Sequence, residues 1–175
     1  LDIPVNDISL TIEVKSYSDR DSTRIYINGH STHGHFNRIL QTDEDGEAIA
    51  INDGFEIDAQ FRKQGIGAEF AERLENWYED IGVKRVYLSA NSSVGIYAWV
   101  RMGYDFANEA SRTKVVNEFY SYLSERRVTN VPDVINHPWE ISAWKSDLPS
   151  VSGKNFLLDH ASSWSAVKYL DKNDP

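Results

Sequence analysis

The sequence predicts an α/β fold, of the α+β kind with one mixed sheet, in which an antiparallel meander leads into a strand–helix–strand unit. Three observations predict it. Short runs of alternating apolar and polar residues fill positions 10–59, as half-buried strands require. A glycine-bearing turn at Arg62-Lys63-Gln64-Gly65-Ile66-Gly67 then opens a helical pattern. A second alternating run, Val83–Ala90, follows that helix, and strand, turn, helix, strand demands a crossover between parallel neighbours.

The first strand candidate is Leu10–Val14, followed by a turn at Asp19-Arg20-Asp21-Ser22. Arg24–Ile27 continues into Asn28-Gly29, and Phe36–Leu40 is the next candidate before the acidic turn Asp43-Glu44-Asp45-Gly46. Ile49–Ile51 and Phe55–Ala59 complete the meander. No long helix is expected before residue 64. Ile66, Phe70, Leu74, Trp77 and Ile81 recur at helical spacing, and Gly82 stops the helix. Val86, Leu88 and Ala90 share one face of the next strand.

Later elements are less marked. Glu109–Arg126 reads as a helix with Val115, Val116, Phe119, Tyr120 and Leu123 in an apolar stripe, which we assign to core packing. Pro132, Pro138 and Pro149 break the chain into short pieces. Val151–Leu158 is expected to close the sheet or cover an acceptor groove, and Trp164, Val167 and Leu170 suggest a last short helix. No linker divides the chain, so one domain over 1–175 is expected, with its core at 47–106 and a helical, irregular extension at 107–175.

The turn carries the clearest chemistry. Two glycines one residue apart at a helix start bring a ligand close to the backbone. The first-turn N–H groups have no partner inside the helix, and the helix dipole favours an anion there. Arg62 and Lys63 add positive charge, so a phosphate or pyrophosphate is the expected ligand. No Gly-Lys-Ser or Gly-Lys-Thr follows, which argues against a nucleoside-triphosphate loop. Phe70 stands where a dinucleotide fold would want its third glycine.

The segment Ile57-Asp58-Ala59-Gln60-Phe61-Arg62-Lys63-Gln64-Gly65-Ile66-Gly67-Ala68-Glu69-Phe70 resembles the signature segment of the GNAT superfamily of acyl-CoA N-acyltransferases. Leu88-Ser89-Ala90-Asn91, then Tyr97 and Trp99, then Arg101-Met102-Gly103-Tyr104, resembles the strand, helix and Gly-aromatic ending that follow in that family. The resemblance covers residues 54–106. It implies a GNAT-like fold that moves an acyl group, acetyl by preference, from acetyl-CoA or another acyl-CoA to an amine. It also implies that Arg62, Gly65 and Gly67 match the turn that holds the coenzyme A pyrophosphate. Ile57, Asp58, Ala59, Lys63, Gln64, Ile66, Ala68, Asn91 and Tyr97 join them as cofactor-contacting candidates, with a backbone N–H near Asp58 or Ala59 serving the thioester oxygen.

Glu56 and Asp58 lie beside the turn, two residues apart, and either carboxylate could take the acceptor's proton through a shared water. Asn91 could orient the acceptor or the pantetheine arm, or cap the next helix, and Ser93 is a weaker candidate. The family's general-acid tyrosine lies four residues before the Gly-aromatic pair. Here Trp99 occupies that place, so Tyr97 replaces the acid or there is none. The family's N-terminal helix pair is also hard to find. These departures motivate a second reading, a catalytically weak or inactive coenzyme A-binding or protein-interaction module.

Composition narrows the partners. A net charge of −9 argues against nucleic acid, which needs a basic surface, and favours a cationic acceptor such as an amine on a peptide or protein. No apolar run reaches membrane-spanning length and no signal peptide is visible, so a cytoplasmic protein without membrane contact is expected, although the chain begins at Leu1 and native targeting is not readable. With no cysteine, neither a disulfide nor a thiol nucleophile is available. His30, His33 and His35 cluster, but no adjoining carboxylate or cysteine completes a ligand set, so no metal is expected. Oligomeric state is not readable.

Overall fold

Alternation over the first third of the chain does produce strands in the expected order. A computed structural model of the protein describes residues 11–18, 23–62, 64–91 and 93–170. Leu10, the turn at Asp19–Ser22, Lys63 and Ser92 lie outside the described residues. The described strands form a seven-stranded mixed sheet in the order β1-β2-β3-β4-β5-β7-β6. The chain divides into two compact units, residues 1–88 with 169–175, and residues 89–168.

In the first unit β1 (Thr11–Ser18), β2 (Thr23–Ser31), β3 (Gly34–Thr42) and β4 (Ala48–Ile57) pair antiparallel in succession. The two expected strands at Ile49–Ile51 and Phe55–Ala59 are one strand. Asn37 pairs with Gly54 and Arg38 with Asn52, which leaves Asp53 as the extra residue of a bulge. Arg38, only 2% exposed, spans this bulge. Its Nη1 donates to the carbonyls of Asn37 and Gly54, and its guanidinium lies over the rings of Phe36 and Phe55. The alternation stops at Ile57, so Ala59 is not a strand residue but begins a 3-10 turn over Ala59–Phe61.

Helix α1 (Ile66–Asp80) follows, and β5 (Arg85–Ala90) runs parallel to β4, completing the expected strand–helix–strand unit. Phe70, Ala71, Leu74 and Tyr78 are the buried face of α1, whereas Trp77 is half-buried and Ile81 is exposed past the helix end. Gly82, at φ 84°, makes the expected stop. Burial pushes the Tyr78 phenol well up, against the opposing charge and hydrogen bond of Arg38, so it stays neutral. At the start of β5 Arg85 is ion-paired to Asp43 and to Glu47 at 2.9 Å, tying the β3–β4 turn to β5.

In the second unit α2 (Ser93–Arg101) ends at Gly103, which takes φ 85°. Then come β6 (Asp105–Phe106), α3 (Glu109–Glu125), α4 (Pro138–Ala143), α5 (Gly153–Asp159) and β7 (Trp164–Tyr169). One expectation fails here, and one of the two alternatives of another. Trp164, Val167 and Leu170 do not build a helix; β7 is a strand pairing antiparallel with β6, Val167 opposite Asp105 and Ala166 opposite Phe106. Val151–Leu158 does not close the sheet, because Ser152 caps the helix α5 by accepting from the Asn155 N–H. The expected stripe of α3 holds at Val115, Phe119 and Leu123. Phe119 centres an aromatic core, with ring centroids 5.1 Å from Phe156 and 5.4 Å from Trp144. A Cβ on Gly153 would lie 1.6 Å from the Ile141 carbonyl oxygen, so only glycine lets α5 approach α4 there.

Candidate functional site

The first unit contains the turn. Gly65 caps α1 with φ 83°, a conformation that suits glycine, and its carbonyl accepts the first helical hydrogen bond from Glu69 N–H at 3.0 Å. Apart from its chain neighbours, no described residue comes within 4 Å of where a Cβ on Gly65 would project, so the space beside this cap is open. The N–H groups of Ile66, Gly67 and Ala68 fall in the first turn, where an α-helix leaves its donors without helical partners.

Gly67 also serves the packing of α1 on β4. A Cβ there would sit 3.0 Å from Ile57 Cδ1 and 3.4 Å from Phe55 Cε1. Its missing side chain lets α1 close on β4. The ring of Phe70, stacked 5.3 Å from Phe55 and 4.8 Å from Phe36, continues that contact.

Arg62 is turned toward the strand end. Its Nε donates to the Ile57 carbonyl at 2.7 Å and its Nη2 lies 3.6 Å from Glu56 Oε1. Gln64 Nε2 donates to the Gln60 carbonyl at 3.0 Å. The structure thus brings Glu56, Ile57, Arg62 and the helix start together. Glu56 is an exposed β4 residue, whereas Asp58 lies beyond the strand at φ −55°, ψ 141°. The Asp58 N–H is already used, donating to the His33 carbonyl at 2.9 Å. Of the two N–H groups proposed for the thioester oxygen, Ala59 is the one left for that task.

His33 packs on Phe61 with centroids 3.9 Å apart, while His30 and His35 face each other across β2 and β3 at 6.2 Å. Among the described residues no three His, Cys, Asp or Glu side chains are grouped to hold a metal ion.

In the second unit Asn91 is exposed just after β5, and Tyr97 is half-buried on α2. Lys154 Nζ of α5 lies 5.4 Å from the Tyr97 ring centroid. Trp99 packs edge-on against buried Tyr104 at 5.3 Å, and its carbonyl accepts the Tyr104 N–H. The indole at the usual acid position is thus part of the helix ending.

Two features here have no local signal in the sequence. His137 Nδ1 is 2.6 Å from Asp105 Oδ2, and its ring stacks on Trp139 at 4.2 Å. Asp105 and His137 belong to β6 and the α4 cap, so only the folded chain pairs them. At that cap burial pushes the Glu140 carboxyl up, but the N–H groups of His137 and Asn136 outweigh it and the net shift is downward. The second feature is a recess of about 370 Å³. Asn108, Ser111 and Lys114 of α3 and its cap line one side, and Ser163, Trp164 and Ser165 line the other. Ser89 of β5 completes the polar lining.

Neither a family model nor a curated protein matches the chain. Solved structures of GNAT-type acetyltransferases are similar to it at a distance. A GNAT family acetyltransferase from Elizabethkingia anophelis, with acetyl-CoA bound, is 12% identical over 94% of this chain and 99% of its own, with a TM-score of 0.42. A point mutant of the AtaT toxin, bound to the C-terminus of the antitoxin AtaR, is 12% identical over 59% of this chain and 87% of its own, at 0.41. AtaTR bound with AcCoA is 13% identical over 57% and 87%, at 0.38.

Proposed function

We propose that the chain is an acyl-CoA-dependent N-acyltransferase that moves an acetyl group from acetyl-CoA to an amine-bearing acceptor. One observation carries this reading: Gly65, left-handed and with open space around its missing Cβ, leads into the first-turn donors of α1 in the connection between β4 and the parallel strand β5. That arrangement suits a pyrophosphate. The sequence around it carries the segment from Ile57 to Phe70 that resembles the family signature.

Acetyl-CoA supplies an activated acyl carbon, and the protein's task is to bind and orient it and to manage two protons. The N–H groups of Ile66, Gly67 and Ala68 would bind the pyrophosphate, with Lys63 and Gln64 flanking it. Arg62, held by Ile57 and Glu56, would fix the shape of the turn and add positive potential. Glu56 or Asp58 would accept the proton of the acceptor ammonium, directly or through water. The amine nitrogen then bonds to the acyl carbon, and the carbon–sulfur bond breaks as the nitrogen gives up its second proton, which makes good the one Tyr97 passes to sulfur. The Ala59 N–H would stabilise the oxygen as charge builds there. Tyr97 would return a proton to the departing thiolate, with Asn91 ordering the pantetheine arm or the acceptor.

Calorimetric titration with acetyl-CoA tests the reading. Saturable binding together with thiol release in the presence of amines is expected, and no binding at high micromolar cofactor would sink it. The packing of Trp99 against Tyr104 favours a second reading, a module that binds coenzyme A or a protein partner without catalysis. Tight cofactor binding with no thiol released across wide pools of amines and peptides would select it.

A further inference from the structure

We propose that the recess between the start of α3 and the start of β7 binds an anionic group of the acceptor, so that the acceptor carries a carboxylate or phosphate as well as its amine. This rests on the acyltransferase reading. The volume, about 370 Å³, lies within the range of small-ligand sites. Its lining contains one ammonium, four serine hydroxyls and an amide, and, among the described residues, no Asp or Glu. A cavity meant for the amine itself would place a carboxylate there. Donors without an acid suit a negative charge.

Lys114 and its neighbours are held by contacts that leave donors over. Lys114 Nζ donates to the Ser163 carbonyl at 2.8 Å and has two further N–H bonds to give. The Asn108 side-chain oxygen caps the Ser111 N–H at 2.9 Å, which leaves its amide donors. Ser111 Oγ accepts the Ser165 N–H at 3.3 Å, so its own hydroxyl hydrogen is still to be used. The independent observation is Trp164. It is 3% exposed, lines the recess, and its indole Nε1–H is buried without a hydrogen-bond partner. Buried donors are almost always satisfied, and an anion in the recess, with the small adjustment that binding brings, would supply the missing acceptor.

The recess also adjoins a residue of the proposed chemistry. Ser89 lines it and stands two residues before Asn91, the candidate for ordering the acceptor or the pantetheine arm. Two residues of extended chain span roughly 7 Å. An amino group on the same small molecule could cover that distance from a bound carboxylate or phosphate.

The test uses the full chain labelled with 15N at tryptophan, whose five indole N–H signals are resolved by NMR and Trp164 assigned by Trp164→Phe. Inorganic phosphate and glycine are titrated in turn, with glycinamide as the amine lacking the carboxylate. The expected result is a saturable shift of the Trp164 signal with phosphate and glycine, none with glycinamide, and an apparent Kd at least tenfold weaker in Lys114→Gln. In turnover assays the KM for carboxylate-bearing amines should rise about tenfold in Lys114→Gln, while the KM for their amides and the affinity for acetyl-CoA stay put. A Trp164 signal that ignores phosphate and glycine, or shifts equally in Lys114→Gln, overturns the proposal. So does an equal loss for acids and amides. If Trp164 titrates as expected but acetyl-CoA does not bind, the acyltransferase reading fails and the recess stands as an anion site.

Discussion

Replacing Gly65 with asparagine separates what the backbone needs at that position from what a ligand needs. At φ 83° most residues would be strained, and a left-handed residue other than glycine costs roughly 1–2 kcal/mol. Asparagine is enriched in that region, so its penalty should stay below about 1 kcal/mol. Apart from its chain neighbours, no described residue comes within 4 Å of the added Cβ, so no steric term is added. For a chain of 175 residues that corresponds to a fall in Tm of less than about 4 °C. The same side chain projects into the open space beside the cap of α1. Blocking one charge-assisted hydrogen bond to a phosphate forfeits about 1.5–3 kcal/mol, which weakens the Kd about 10- to 150-fold. Thermal denaturation and calorimetric titration with acetyl-CoA measure the two effects on one sample. Gly65→Ala is the complement, expected to lose about 2–8 °C because alanine has no relief in the left-handed region. Binding by Gly65→Asn within about threefold of the parent chain would refute the cradle.

Arg38→Met should cost about 2–4 kcal/mol in denaturant unfolding, because it strips the donor from two carbonyls at the β4 bulge and leaves them unpaired. Tyr97→Phe keeps a ring beside Lys154 but removes the hydroxyl; thiol release should fall roughly 100-fold with acetyl-CoA affinity unchanged, and an undiminished rate would remove Tyr97 from the chemistry. Glu140→Ala should cost about 1 kcal/mol near neutral pH through loss of the capping box. The folded-state pKa of Glu140 is depressed below the ordinary 4.5, so its contribution is present above that pH and fades as the pH falls through the folded value. Urea melts of the two proteins should therefore converge in acid, and a gap that widens there would contradict the assignment.

The first unit was largely legible because its signals are local. Period two along β2 and β3 and period 3.6 along α1 each bury a defined face, and Gly65 and Gly82 carry the two positive φ angles that bracket the helix. The bulge at Asp53 was not legible, since it is a mismatch of register between two strands and neither strand alone encodes it. In the second unit, Trp164 and Val167 are three residues apart, as on a helix face, and that spacing misled. Burial of Trp164, Ala166 and Val167 with Ser165 exposed follows from pairing with Asp105 and Phe106, a partner far back in the chain. The helix α5 had a local signal in Ser152, three residues before Asn155, whose N–H it caps; the apolar run after it outweighed that signal.

The same contrast separates the two halves of the proposed chemistry. Phosphate recognition by α1, as proposed, would use backbone N–H groups, and a backbone conformation is written in consecutive residues, so the left-handed turn at Gly65 is encoded locally. The recess draws Ser89 from β5, Lys114 from α3 and Trp164 from β7, three side chains that share nothing until β6 and β7 pair and α3 is capped by Asn108. The His137–Asp105 pair has the same origin, one member from β6 and one from the cap of α4. A cofactor held through the backbone constrains a short motif, whereas an acceptor held through side chains constrains distant positions that can change separately. If the proposed function holds, the recess residues, most of them in or beside the segment 107–163 between the two paired strands, would specify the acceptor, and substitutions there should change which amine is used before they change how acetyl-CoA binds.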